Sequence, residues 1–158
     1  MPITGFLRIE DIPGESQRAD HEDEIDVHDI RWGIERSMPA SIGRGRVRSR
    51  AKVKPLVVQK YYDAASPYLA RTASQGRSFA EATLTLRKDS GESHLDYLTI
   101  TLENVVISSY EVASNRDDMA DLLLEEEIAM DFERATLRYK TMNADGSVGT
   151  LHEVEIRD

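Results

Sequence analysis

A mainly β chain with one flanking α-helix is the fold class this sequence predicts, on three observations. Apolar residues recur at period two through most of the chain, and turn-forming residues interrupt that pattern at short intervals. One segment carries both a helix start and a helix stop signal. The 158 residues are 40% hydrophobic and 31% charged, enough apolar content for a packed core and too much for a disordered chain. The expected organisation is one domain over residues 1–158, with an extended basic loop at about 38–54.

Taken in order, Phe6-Leu7-Arg8-Ile9 is the first strand, closed by the Pro13-Gly14 turn. Ile25 and Val27 share one face, and Ile30, Trp32 and Ile34 share one that is offset by a residue. Such a slip predicts a β-bulge near His28-Asp29. Trp32 reads as a packing residue whose indole N–H needs only a carbonyl. Val53 to Tyr61 reads as the next strand, with Pro55 near its start. Asp63 to about Gln75 is the helix: Asp63 or Ser66 caps it, Pro67 suits its first turn, Leu69 and Ala73 form its apolar stripe, and Gly76 ends it. Ala82 to Arg87 alternates cleanly into a hairpin turn at Asp89-Ser90-Gly91-Glu92. Leu95 to Val112 is long, β-branched and slipped in phase near Glu103-Asn104. A second helix is an option over Asp117 to Leu124. Ile128-Met130-Phe132, Leu137-Tyr139 and His152 to Ile156 are the last strands, the final one entered through Asn143-Ala144-Asp145-Gly146.

Several function classes lose their chemistry here. With no cysteine there is no disulfide, thiolate metal site or cysteine nucleophile. A Gly-x-Ser-x-Gly elbow, a Walker Lys-Ser/Thr and an HExxH helix are all absent, and Asp145-Gly146-Ser147 lacks the rest of a calcium loop. His21-Glu22-Asp23-Glu24-Ile25-Asp26-Val27-His28-Asp29 is the densest cluster of potential ligands. Read as a strand, it places Glu22, Glu24, Asp26 and His28 on one acidic face. A metal-assisted hydrolase there is the enzyme alternative, against a plain solvated face, and the expectation is no catalysis, no cofactor and no metal. No apolar run is long enough to cross a bilayer, and the N-terminus lacks a basic and then apolar leader, so neither membrane insertion nor a signal peptide is expected.

Arg44, Arg46, Arg48, Arg50, Lys52 and Lys54 occupy every second position. Extended, they project to one side at about 7 Å spacing and repel one another. Three partners compete for them: solvent and salt, acidic surface on a neighbouring copy, or an anionic ligand such as nucleic acid. The net charge of −9 argues against nucleic acid for the surface as a whole. Glu22, Asp23, Glu24 and Asp26 are the acidic candidates for a contact between copies. One basic and one acidic band favour head-to-tail self-association, which closes into a ring or runs on as a filament. The alternative is a monomeric β-barrel module that binds an anionic ligand or single-stranded nucleic acid along Arg44 to Lys54, with Tyr61 and Tyr62 stacking.

Four blocks resemble the haemolysin-coregulated protein (Hcp) family, the tube proteins of bacterial type VI secretion. They are Ile9-Glu10-Asp11-Ile12-Pro13-Gly14-Glu15-Ser16 with His21 to Val27 and Trp32-Gly33; Lys60 with Asp63 to Leu69 and Gly76; Tyr97 to Tyr110; and Met130-Asp131-Phe132 through Tyr139. The resemblance implies a small two-sheet β-barrel with one flanking helix, assembling as a hexameric ring. It further implies stacked rings forming a conduit, and partners that are the chain itself, a spike, a contractile sheath and carried effector proteins. The implied location is the cytoplasm and then the exterior, reached through the type VI apparatus. The basic alternation at Met38 to Lys54 departs from the Gly- and Ser-rich loop common in that family.

Overall fold

The computed structural model describes residues 3–37, 50–90, 93–114 and 123–158. Within them lie eleven strands and one helix: β1 (Thr4–Ile9), β2 (Ile25–Val27), β3 (Asp29–Arg31), β4 (Ile34–Arg36), β5 (Ala51–Val53), β6 (Leu56–Tyr61), α1 (Ser66–Gln75), β7 (Ser78–Ser90), β8 (Ser93–Ser114), β9 (Leu124–Asp131), β10 (Arg134–Met142) and β11 (Val148–Arg157). A nine-stranded antiparallel sheet runs β2-β1-β7-β8-β9-β6-β3, with β10 also on β8 and β11 on β10. A second sheet holds only β4 and β5. The mainly β barrel with one helix is thus the fold observed.

His28 closes the barrel. The two ends of the sheet path, β2 and β3, are separated in sequence by this residue alone. Its carbonyl accepts from Ile3 N–H at 3.0 Å, and its own N–H donates to the Gln59 carbonyl at 2.9 Å. The phase slip expected here as a bulge is instead a break, where one bent strand leaves β1 and joins β6. Bulge and break shift the side-chain phase alike, so alternation does not separate them. The slip in β8 is where it was expected. Ile100 and Leu102 are buried, then Val105 and Ile107, and Asn104 between them has φ 52°. There β8 changes partner, from β10 over residues 98–103 to β9 over residues 106–114.

The remaining differences have local causes. The expected strand from Val53 to Tyr61 is interrupted at Lys54-Pro55, because proline has no N–H to give to a ladder. The helix starts at Ser66 rather than Asp63. Ala65 is its N-cap and has no side-chain cap, since Asp63 and Ser66 bond the preceding turn: Ser66 Oγ accepts from Asp63 N–H at 2.8 Å, and Asp63 Oδ1 from Ala65 N–H at 2.9 Å. Gly76 ends it in the left-handed region at φ 61°, donating to the Ala73 carbonyl. The optional helix at 117–124 falls largely outside the described residues, and Leu124 begins β9. Turn residues 91 and 92 also lie outside them, bracketed by the Ser90–Ser93 pair. Leu7, Ile25, Leu56, Val58, Leu69, Leu84, Ile128 and Met130 are buried to 1% exposure or less. Each such side chain stabilises the fold by about 1.5–3 kcal/mol before entropy is counted.

Candidate assembly surfaces

The acidic segment is a loop rather than a strand up to Glu24. Asp20 and Asp23 turn through φ 69° and 64°, and β2 begins only at Ile25. The loop folds back on itself: Gly14 N–H donates to the Asp23 carbonyl, Asp23 N–H to Ser16 and Ser16 N–H to Glu24. A Cβ on Gly14 would sit 2.5 Å from the Glu24 carbonyl oxygen, so only glycine allows this approach. Of the acids expected on one face, Glu22 and Asp26 are exposed and Glu24 is half-buried; Asp23, expected on the other face, is exposed too.

What holds the loop is His21, buried and stacked on Phe6 at 4.4 Å. Its Nδ1 lies 3.0 Å from Glu24 Oε1 and its Nε2 2.8 Å from Asp96 Oδ2, and only the imidazolium donates to both. Arg87 completes the network, donating from Nε to Asp96 Oδ1 at 2.7 Å and from a terminal nitrogen to the Ala19 carbonyl. Burial pushes the Asp96 carboxyl up, but donation from Arg87 and then His21 outweighs burial and holds it below the usual carboxylate range. Asp26 goes the other way, raised by burial against a hydrogen bond from Ser16.

Of the six alternating cations, Arg44, Arg46 and Arg48 lie outside the described residues. Arg50 and Lys52 are exposed, Lys52 within the β4–β5 ribbon opposite Glu35. Lys54 has an acidic partner in its own chain, Glu35 at 2.8 Å, and that hydrogen bond lowers the Glu35 carboxyl. Trp32 finds the carbonyl its indole needs, donating to Lys54 O at 2.8 Å. Tyr61 and Tyr62 are about half exposed, and Tyr61 already packs on the His28 ring at 4.4 Å. Among the described residues no three His, Asp or Glu side chains stand close enough together to hold a metal ion.

Sequence reasoning missed one charged cluster. Lys60 and Glu126 are fully buried and paired at 2.6 Å. Lys60 Nζ also reaches the Tyr61 carbonyl at 2.8 Å, Asp63 Oδ1 at 2.9 Å and Ser66 Oγ at 3.0 Å, while the Ser66 and Tyr110 hydroxyls donate to Glu126. Burial first, then its bond to Glu126, raises the Tyr110 hydroxyl well above its ordinary range. The cluster ties β6, β8 and β9 to the start of α1. A signal was present: Leu56, Val58 and Lys60 share one strand face, which aims the lysine into the core.

A sequence model described as "Type VI secretion system effector, Hcp" matches residues 6–145. The chain is 33% identical over 147 residues to Protein hcp1 of Pseudomonas aeruginosa, spanning 93% of this chain and 89% of that one. Its fold matches a solved type six secretion system protein with a TM-score of 0.87 at 22% identity, over 98% of this chain and 95% of that one. A type VI secretion system effector from Yersinia pestis superimposes with a TM-score of 0.75 at 27% identity, over 98% and 99% of the two chains.

Proposed function

The chain belongs to the Hcp family of type VI secretion tube proteins, and from that premise we propose that it works by self-assembly, as a subunit of hexameric rings that stack into the inner tube of the secretion machine. The observation that carries this reading is the span of the likeness, since the match over residues 6–145 takes in the acidic loop, the barrel and the first strand of the β10–β11 hairpin. In this role the subunit needs no catalysis. It works as a conduit and a carrier of effector proteins, contacts a spike and a sheath, and leaves the cell through the apparatus it helps to build.

Charge supports a head-to-tail contact. Arg50, just before β5, and Lys52 within it are exposed, as are Glu22 and Asp23 in the acidic loop and Asp26 in β2. In the proposed ring, the basic run Arg44 to Lys54 of one copy faces the acidic loop of the next. Reversing Arg46, Arg48 and Arg50 to glutamate then weakens self-association, most strongly at low salt. Unchanged assembly at both low and high salt would remove charge pairing from the account while leaving the ring. Negative-stain imaging of the purified chain tests the ring itself: annular particles and short stacks are expected. A field of single barrels would overturn it and bring forward the anion-binding module.

A further inference from the structure

His21 is buried on the loop between β1 and β2 and takes no part in the ring contacts proposed above. Each element packed against it supplies a partner. From its own loop, Glu24 Oε1 stands 3.0 Å from Nδ1; from β8, Asp96 Oδ2 stands 2.8 Å from Nε2. Arg87 of β7 donates to Asp96 Oδ1 at 2.7 Å, and Phe6 of β1 stacks on the imidazole at an interplanar angle of 6°. Farther out, Arg18 meets Asp89 at 3.8 Å and exposed His94 meets the same carboxylate at 2.7 Å, while Asp20 and Asp89 both act on Arg87. The strands build this site. Pairing of β7 with β8 slips by one residue after the Leu86–Leu98 pair, and the slip sets Arg87 directly opposite Asp96.

We propose that His21 is a pH-operated latch on the acidic loop: with both ring nitrogens protonated it fastens residues 14–24 to the β7–β8 hairpin, and loss of one proton releases them. The neutral ring has one donor for two carboxylates. Whichever nitrogen keeps its proton, the other turns a lone pair toward a carboxylate oxygen 3.0 Å away or less. Acceptor then faces acceptor, in a place where Phe6 shields one face of the ring from water. Charge tells the same story. His21 and Arg87 balance Glu24 and Asp96 while the imidazole is charged, and its deprotonation leaves one anion in excess beside exposed Glu22 and Asp23. On the acid side the Asp96 contact holds until that carboxyl takes a proton, and Arg87 with His21 keeps it below its usual range. The latch lies within one chain, so it stands or falls apart from the self-assembly reading.

Hydrogen exchange read by mass spectrometry on the purified chain, from about pH 5.5 to 9 and corrected for intrinsic exchange, tests this. In wild type, protection over residues 14–24 is expected to fall about tenfold or more as pH rises, while protection over α1 stays level. Glu24→Gln is expected to change by less than about twofold, because its amide accepts from the charged ring and donates to the neutral one. Arg18, Asp89 and His94 are intact in that variant, so a fall that they caused would persist in it. A level wild-type profile, a fall shared by α1, or a Glu24→Gln profile that follows wild type would each overturn the latch. If Glu24→Gln fails to fold, His21→Gln takes its place: its side chain does not titrate, so a level profile is expected, and one that still falls would overturn the latch.

Discussion

Two charged networks in this barrel each pair a basic side chain with carboxylates and differ in where they sit. Lys60 and Glu126 lie in the core with no side-chain exposure, whereas Arg87, Asp96 and His21 lie at its margin, where Asp96 keeps 31% of its surface. Removing one member of a fully buried pair strands the other charge away from water, while water can reach a marginal pair and replace part of what is lost. The first network fixes the start of the helix against three strands and the second fastens the acidic loop. The contrast teaches that the inner network governs folding and the outer one governs how the loop is presented.

The largest expected effect is Lys60→Met, which should cost about 3–5 kcal/mol in urea unfolding, with Glu126 left uncompensated. Lys60→Met combined with Glu126→Leu should recover most of that, because an apolar pair of similar volume has no charge to desolvate. A single-variant loss under about 1 kcal/mol would show that water reaches Glu126 and erase the contrast. His21→Ala comes next, at about 1–3 kcal/mol from lost charge-assisted hydrogen bonds, with faster proteolysis in residues 14–24 as its local sign.

The acids of the margin sharpen the comparison through pH. Asp96 is held below its ordinary value, so its contribution is present above the unfolded carboxylate pKa and is lost as pH falls through the folded one. Asp26 is held above, so the folded protein gains from its protonation as pH falls through the folded value. Asp96→Asn should flatten the acid limb of the stability profile, and Asp26→Asn should slightly raise stability at neutral pH; equal signs would show that the two carboxyls share one environment. The smallest effect is Arg138→Ala, whose exposed pair with Glu153 at 3.1 Å should change stability by no more than about 0.5 kcal/mol.

These regions also differ in how far the sequence discloses them. Alternation in β7, β8 and β10, the Gly76 stop and the Asn104 slip are local signals, and local signals survive into the structure. The inward aim of Lys60 was legible for the same reason. The same alternation places Glu126 on the face of Ile128 and Met130, but that this face meets the one carrying Lys60 depends on which strands pair, so the ion pair itself was not legible. The seam at His28 and the tie between His21 and Asp96 depend on which strands meet, which no short window of sequence contains. The acidic stretch misled as a strand because charged residues carry no period, and the left-handed turns at Asp20 and Asp23 use a conformation that aspartate tolerates without announcing it.

The central claim is that this chain acts by joining unlike surfaces of its own copies, and the mass of the purified wild-type protein across a concentration series tests it most directly. The account predicts a discrete closed species several times the 17.8 kDa of one chain, unchanged in size once formed. A mass of 17.8 kDa at every concentration would contradict it.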